Sequence, residues 1–275
     1  VPWRDAKVHV LTHGLHYGSC VFEGQRVYNR KVFKLEQHTN RLFESAKLMG
    51  FEIPFTQEQI NDACKQVVEA QGHDDAYMRP VAWRGSEMMA VSAQRSKIHV
   101  AIAVWPWPSM FDPEIKKKGI RLDISRWRRP APDTTPWKAK AAGLYMICTL
   151  SKHEAEQKGY ADAMMYDWRR LVAEATGANI FFVRDNRLIT PYADCFLNGL
   201  TRQTVIELAK ARQIEVVEKH IQSSDVSDFT ECFLTGSAAE VTPVGEIGNW
   251  KFQVGNITRT LMDDYANHVR GKYTI

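Results

Sequence analysis

The chain of 275 residues is long enough for one large domain or two ordinary ones. Hydrophobic residues make up 44% of it and charged residues 25%, as in an ordinary globular protein, and the net charge of +4 is too small to indicate a nucleic-acid partner. The five scattered cysteines form no CxxC or Cys/His cluster, so we expect no metal site, reduced thiols and a cytoplasmic location.

The apolar and basic segments also give no sign of a membrane protein. The longest apolar run, residues 98–108, is interrupted by proline and is far too short to span a bilayer. No segment resembles a signal peptide, and because the sequence begins at Val1 rather than at a methionine, we expect that residues precede it. The lysines at 116–118 and the three arginines within 126–129 are expected to be solvated charge.

The N-terminal third predicts a mixture of strands and helices. Residues 7–11 alternate like a strand, and residues 25–33 indicate a hairpin with its turn at Asn29-Arg30. Between them, glycines interleave with histidines and aromatic residues, as in many binding loops. A helical period follows over residues 35–50.

A capping box marks the start of the next helix. Thr56 opens it with Gln59 three residues on, and we expect the helix to end at Gly72. Residues 76–83 and 98–105 then predict two strands.

In the first of these strands, Tyr77 and Arg79 share a face because side chains alternate along a strand. An arginine beside a phenol can hold a carboxylate by two parallel hydrogen bonds. A salt bridge on an edge strand is the competing interpretation of this segment.

A proline-rich segment predicts a boundary between two domains. Three prolines within residues 106–113 stop regular structure, and a strand is predicted afterwards over 119–124. We expect a small N-terminal domain over residues 1–107, a linker at 108–116 and a larger domain over 117–275. Trp107 would then lie where a cleft between domains could form.

Two lysines have small, apolar residues as their neighbours in the sequence, which is unusual for lysine. Lys138 and Lys140 flank Ala139, and Ala141, Ala142 and Gly143 follow. A desolvated lysine loses its proton more easily and becomes a nucleophilic amine, as Schiff-base chemistry requires. Two exposed lysines at a strand–helix junction are the alternative, and the spacing alone does not choose between the lysines.

The remaining residues alternate between strands and helices. We expect helices over 141–158, from 198 onward, near 224 and over 257–269, and strands at 163–166, 180–183, 187–190, 215–219 and on either side of a turn within 233–244.

Two segments of this part offer groups that bind charged ligands. Glu174 is embedded among small and apolar residues, where burial would be costly unless it met a cation. The Gly199-Leu200-Thr201 helix start presents backbone N–H groups that suit a phosphate, although Thr201 could be a plain N-cap. The turn after residue 234 adds N–H groups and the hydroxyls of Thr235 and Ser237.

A lysine, an embedded carboxylate, phosphate-binding turns and an arginine that binds carboxylates are the set that pyridoxal phosphate needs. The sequence resembles the class-IV, fold-type IV pyridoxal-phosphate aminotransferases, and among them the branched-chain amino acid aminotransferases. The similarity covers essentially the whole chain. It rests on ordered motifs: residues 13–18, Val21-Phe22-Glu23-Gly24, Tyr77-Met78-Arg79-Pro80, Ala139-Lys140-Ala141, Asn198-Gly199-Leu200-Thr201-Arg202 and Thr235-Gly236-Ser237-Ala238-Ala239-Glu240.

The resemblance implies an α+β fold, in which two α/β domains of the D-amino acid aminotransferase type hold the cofactor in a cleft between them. It also implies a role for each matching residue. Lys140 is the Schiff-base lysine, and Glu174 is the partner of the pyridinium nitrogen. The remaining cofactor-binding residues are Tyr145, Arg41, Leu200, Thr201 and Ser237, and the substrate pocket comprises Tyr17, Phe22, Gly24, Tyr77, Arg79, Trp107 and Ala238.

The function implied is ping-pong transamination between a branched-chain L-amino acid and 2-oxoglutarate, in a homodimer in which Tyr17 reaches towards the neighbouring subunit's site. A D-amino acid or (R)-amine transaminase would keep the cofactor residues and change the pocket. An aminodeoxychorismate lyase of the same fold is a third interpretation. Residues 87–91 stand where relatives have a glycine-richer loop, so the pocket departs from the family more than the cofactor residues do.

Overall fold

The computed structural model describes residues 1–107 and 113–273. Most of the predicted linker, residues 108–112, lies outside the described residues, and its last part lies in a helix, Pro113–Lys118. The described chain divides into two compact units. The first comprises residues 1–107 together with 138–145, and the second comprises 113–137 and 146–273.

The first unit is built on an antiparallel sheet with β4 at its centre. β4 pairs with β1 and β2 along one edge and with β5 along the other. Its strands are β1 (Cys20–Phe22), β2 (Gln25–Tyr28), β3 (Lys31–Val32), β4 (Ala76–Arg84) and β5 (Ile98–Pro106), and its helices are α1 (His13–Tyr17), α2 (Leu35–Leu48) and α3 (Gln57–Gln71).

Local signals account for the turns and helix ends of this unit. Asn29 and Arg30 both have positive φ, which gives the β2–β3 hairpin the twist that its strands require. Thr56 and Gln59 form the predicted capping box, and Gly72 ends α3 in the left-handed conformation. These predictions are confirmed.

The apolar faces of α2 and α3 pack on the sheet. One buried cluster joins Val21 of β1 to Leu42 and Ala46 of α2, and it includes Ala139 and Ala141. The lysine segment is therefore part of the core of the first unit.

The predicted strand at residues 7–11 is wrong. These residues form no strand, and Val8 and Val10 are exposed. Alternation predicts a strand only where one face can be buried, and here neither face is covered within the described residues.

The second unit contains nine described strands in one sheet. The strands are β6 (Ile120–Ile124), β7 (Asp162–Tyr166), β8 (Val172–Ala175), β9 (Asn179–Arg184), β10 (Arg187–Pro191), β11 (Val216–Lys219), β12 (Glu231–Gly236), β13 (Glu240–Ile247) and β14 (Trp250–Lys251). The helices are α4 (Pro113–Lys118), α5 (Met146–Gln157), α6 (Leu200–Ala211) and α7 (Asn256–His268).

This sheet closes on itself. Its order runs from β9 through β12, β13, β6 and β7 to β8, and β8 then pairs with β9 through Glu174 and Asn179. Buried apolar side chains, including Ile180 and Phe182 of β9, fill one side of it. The sequence did not predict β8, because its residues 172–175 form too short and too plain a run to be distinguished from a loop.

In the described part of the chain, no helix is both long and apolar enough to cross a bilayer.

Candidate active site

The backbone of Lys140 is held on both sides. Its flanking residues, Ala139 and Ala141, are buried in the core of the first unit. The Lys140 N–H donates to Ser45 Oγ at 2.9 Å, and the Lys140 carbonyl accepts from the Phe22 N–H at 3.1 Å. The small neighbours that make this lysine unusual in the sequence therefore anchor it, and an anchored backbone is what a catalytic side chain requires.

The Lys140 amine lies beside two aromatic rings, those of Phe22 and Tyr145. Its Nζ donates to Tyr145 Oη at 2.7 Å and lies 5.0 Å from the centroid of the Phe22 ring. The rings of Phe22 and Tyr145 are themselves 5.0 Å apart. Lys138, in contrast, is exposed, so the geometry separates two lysines that their spacing left equivalent.

A second group of predicted residues surrounds Arg79. Arg79 Nη2 donates to Tyr77 Oη at 3.2 Å, and the guanidinium lies 4.5 Å above the Phe22 ring. Arg79 Nε is buried and makes no hydrogen bond to any described residue, so a donor remains for a ligand carboxylate. The alternative of an edge-strand salt bridge is wrong, because β4 lies inside the sheet.

Gly24 and Trp107 complete this group. A Cβ on Gly24 would overlap Tyr77 Oη, so only glycine lets the phenol occupy its place. The Trp107 ring packs against Tyr77 with centroids 5.1 Å apart. Tyr17 lies elsewhere in the unit, exposed and stacked on His13 with centroids 4.6 Å apart.

Arg41 has a partner that the sequence did not indicate. Its Nε and Nη2 donate to the two oxygens of Glu23 at 2.7 and 2.8 Å, a bidentate pair with a fully buried carboxylate. His38 Nδ1 also donates to Glu23 Oε2, at 2.6 Å, since a carboxylate can only accept. Glu23 fixes the plane of the Arg41 guanidinium, for which the family resemblance implies a phosphate-binding role.

The charge on Glu23 is strongly stabilised. Burial alone would raise the pKa of the Glu23 carboxyl, but the Arg41 charge, followed by His38, lowers that pKa well below its ordinary value of 4.5. Burial lowers the pKa of the His38 imidazole. Glu23 is therefore ionised at neutral pH.

In the second unit, Glu174 is the buried carboxylate that the sequence singled out, and its cation is Arg129. Arg129 Nε lies 3.3 Å from Glu174 Oε1, and Arg129 Nη1 donates to Cys148 Sγ at 3.3 Å. The expectation that Arg129 is solvated is wrong for this reason, whereas Arg126 and Arg128 are exposed as expected. Glu174 and Cys148 supply the partners that a buried guanidinium requires.

A polar row crosses the sheet beside this pair. Asn179 is the strand partner of Glu174 on one side and of Thr235 on the other, so the three side chains lie on one face. Asn179 Nδ2 donates to Glu174 Oε2 at 3.2 Å. The Thr235 hydroxyl is buried and makes no hydrogen bond to the described residues.

The predicted phosphate site begins where α6 begins. Its N-cap is Gly199, and no side chain in the described part of the chain caps the helix. Thr201 lies within the first turn and is buried, so the alternative of Thr201 as an N-cap is wrong. An uncapped helix start leaves backbone N–H donors for an anion. Leu200, Ser237 and Ala238 are partly exposed, the last two in the turn between β12 and β13.

Sequence reasoning missed three residues of these groups. Glu23 stands in a recognised motif, but only the folded chain brings it to Arg41. Arg129 lies 45 residues before Glu174 in sequence, and Asn179 looks like an ordinary strand residue. The one available signal was the high cost of burying Glu174 alone, which implied a cation without identifying it.

The chain matches the family described as amino-transferase class IV over residues 20–247, and it belongs to that family. The predicted family is thereby confirmed, and with it the family's cofactor.

Three proteins show which members of the family this chain is similar to. The chain is 44% identical to a probable branched-chain-amino-acid aminotransferase of Rickettsia conorii, over 98% of this chain and 93% of that one. It is 40% identical to the branched-chain-amino-acid aminotransferase of Pseudomonas aeruginosa, over 99% and 91%. A T.th. branched-chain amino acid aminotransferase complexed with N-(5'-phosphopyridoxyl)-L-glutamate superposes with a TM-score of 0.94 at 36% identity, over 99% and 92%. The predicted α+β fold is confirmed.

The residues of each unit fit the cofactor. The second unit offers a helix start without a side-chain cap and a buried Thr235 hydroxyl, neither of which is satisfied by a side chain of the described residues, and both suit a phosphate. The Glu174 carboxylate contacts Arg129 through one oxygen and Asn179 through the other, and a carboxylate oxygen can accept more than one donor. The first unit offers the anchored amine of Lys140.

Replacing Glu23 tests the buried pair with Arg41. Because the folded pKa of Glu23 lies below 4.5, its carboxylate stabilises the folded state above about pH 4.5, and this contribution is lost as the pH falls further. Glu23→Gln should therefore lower the free energy of unfolding in urea by about 3–5 kcal/mol at neutral pH, with a smaller difference below about pH 4. Glu44→Gln, an exposed change on the same helix as Arg41, should have little effect at either pH. A pH-independent difference for Glu23→Gln would contradict the ion pair.

Proposed function

We propose that the protein transfers the amino group of leucine, isoleucine or valine to 2-oxoglutarate, with Lys140 as the lysine that bonds to pyridoxal phosphate. The observation that carries this proposal is the anchored Lys140 amine beside Tyr145 in a chain that belongs to the class IV aminotransferases. The relatives named as branched-chain aminotransferases support the substrate class.

Each residue then has a defined task. When bound, the cofactor supplies an aldehyde and an electron-withdrawing ring. Lys140 Nζ takes the proton from the α carbon of the amino donor and later returns a proton to the acceptor. Tyr145 Oη holds that amine at 2.7 Å. Glu174, which is paired with Arg129, would accept a hydrogen bond from the protonated ring nitrogen.

The first unit supplies both an apolar wall and a cation for the two kinds of substrate. Phe22 and Trp107 offer apolar surface to a branched side chain, and Gly24 leaves room beside Tyr77. Arg79, whose Nε has no hydrogen-bond partner among the described residues, would bind the second carboxylate of 2-oxoglutarate. The glutamate adduct of the T.th. enzyme supports a glutamate–2-oxoglutarate partner reaction.

The phosphate would be held by the N–H groups at Leu200 and Thr201 and by the Ser237 hydroxyl, with Ala238 beside the substrate. This proposal includes two domains, over residues 1–107 and 117–275. It also includes a homodimer with Tyr17 at the subunit contact, which the exposed Tyr17 ring supports. A cytoplasmic location is the last part of it, and the five free cysteines support that location.

A donor panel tests the function directly. With 2-oxoglutarate as acceptor, L-leucine, L-isoleucine and L-valine should be converted at rates at least about 100-fold above that of D-alanine with the same acceptor and that of (R)-1-phenylethylamine with pyruvate as acceptor. Preference for the D-amino acid or the (R)-amine would overturn the substrate assignment. Release of pyruvate from aminodeoxychorismate without an added 2-oxo acid would indicate a lyase.

Replacing the two lysines separately tests the role of Lys140. Lys140→Ala should abolish the visible absorption shift that an amino donor causes in the holoenzyme and lower turnover by at least about 10³-fold, because the amine that moves the proton is gone. Lys138→Ala is the matched control and should behave like the wild type, since Lys138 is exposed. Normal turnover of Lys140→Ala would contradict the assignment.

Arg79→Gln separates the two substrates. The KM for 2-oxoglutarate should rise about 10–100-fold, as expected for the loss of a charge-assisted hydrogen bond to a carboxylate. The KM for 4-methyl-2-oxopentanoate should change less than about threefold, because that acceptor has no second carboxylate. Since both acceptors are tested on one variant, an equal rise for both would mean that Arg79 acts on the fold rather than on the second carboxylate.

A further inference from the structure

Asn179 makes more side-chain contacts than pairing within a sheet requires. Its Nδ2 donates to Glu174 Oε2 at 3.2 Å and to the Leu197 carbonyl at 2.9 Å. Its Oδ1 accepts from the Gly199 N–H at 3.1 Å. The residue is 5% exposed, so these contacts are made away from water.

The three partners fix the orientation of the carboxamide. A carboxamide has two N–H donors and one acceptor oxygen, and here both donors and the oxygen are used. A flipped amide would place its NH₂ group against the Gly199 N–H and its oxygen against two acceptors. The side chain therefore has one position, with one edge on Glu174 and the other on the segment that leads into α6.

Gly199 shows how closely this segment approaches the sheet. A Cβ at position 199 would overlap Asn179 Oδ1. The backbone at the start of α6 thus rests directly on the carboxamide, which is possible only with glycine. The position of the α6 N-terminus depends on Asn179.

We propose that Asn179 is a positioning residue that holds the Glu174 carboxylate and the N-terminus of α6 at a fixed separation, matched to the two ends of the cofactor. This inference rests on the proposed roles of Glu174 and of the Leu200–Thr201 backbone. The ring nitrogen and the phosphate of pyridoxal phosphate are joined through a rigid ring and a short arm. A protein that binds both ends must therefore fix the distance between its own two sites, and here one side chain contacts both.

The test uses two probes of the apoenzyme, each of which reports on one end. Pyridoxal lacks the phosphate, and inorganic phosphate lacks the ring. In Asn179→Leu, which is similar in shape but makes no hydrogen bonds, the Kd of each probe measured by calorimetry should rise about tenfold, as expected for the loss of hydrogen bonds that place a binding group.

Gly199→Ala alters the contact between Asn179 and the start of α6 from the side of the helix. The added methyl displaces the Asn179 carboxamide while leaving the side chains of the sheet unchanged in sequence. Pyridoxal, which has no phosphate to meet α6, should still bind about tenfold more weakly. A purely local role for Gly199 would change the affinity for phosphate alone, so this variant keeps the proposal testable even where Asn179→Leu does not fold.

Thr190→Val is the matched control. It removes one buried hydrogen bond, from Thr190 Oγ1 to the Ile180 carbonyl at 2.9 Å, from the same sheet and should leave both Kd values unchanged. Weakened binding of only one probe in both Asn179→Leu and Gly199→Ala would overturn the positioning role. The variant Glu174→Gln tests the proposed site itself, because unchanged binding of pyridoxal would overturn the role of Glu174. Failure of the positioning role of Asn179 is therefore distinguishable from failure of the proposed site.

Discussion

One strand pairing closes the sheet of the second unit, and it joins Glu174 to Asn179. Because antiparallel partners lie on one face, this closure brings a carboxylate and a carboxamide together, with Thr235 as the next residue of the row. A slip of one residue in any of these strands would turn its side chain to the opposite face and break the row. The register of β8, β9 and β12 therefore determines where the candidate cofactor residues of this unit point.

Each buried carboxylate of the candidate site has a cationic partner within its own unit. Glu23 pairs with Arg41 in the first unit, and Glu174 pairs with Arg129 in the second. A buried charge without a partner would cost several kcal/mol, by general estimates for buried ions, or would be neutralised. Pairing keeps both carboxylates buried in fixed positions. The Lys140 amine instead donates to the Tyr145 hydroxyl, which orients it.

Local patterns in the sequence predicted most of the elements, because helix caps, turns and apolar periods are encoded within a few residues. The capping box of α3 and the hairpin turn at Asn29-Arg30 are examples. The predicted strand at residues 7–11 was wrong, since alternation does not reveal whether a partner strand exists. The roles of Lys140 and Glu174 came from the resemblance to a family. Arg129 and Asn179 could not be predicted, because their partners are fixed by strand order and register, which no local pattern records.

The identity of the lysine that binds the cofactor is the central claim, and chemical labelling tests it most directly. Sodium borohydride reduces the bond between a lysine and pyridoxal phosphate to a stable amine, so the modified lysine of the holoenzyme can be located by peptide mass spectrometry. We predict one phosphopyridoxyl group, on Lys140, whose backbone is anchored by Ser45 and Phe22. Labelling of Lys138 or of any other lysine in place of Lys140 would contradict it.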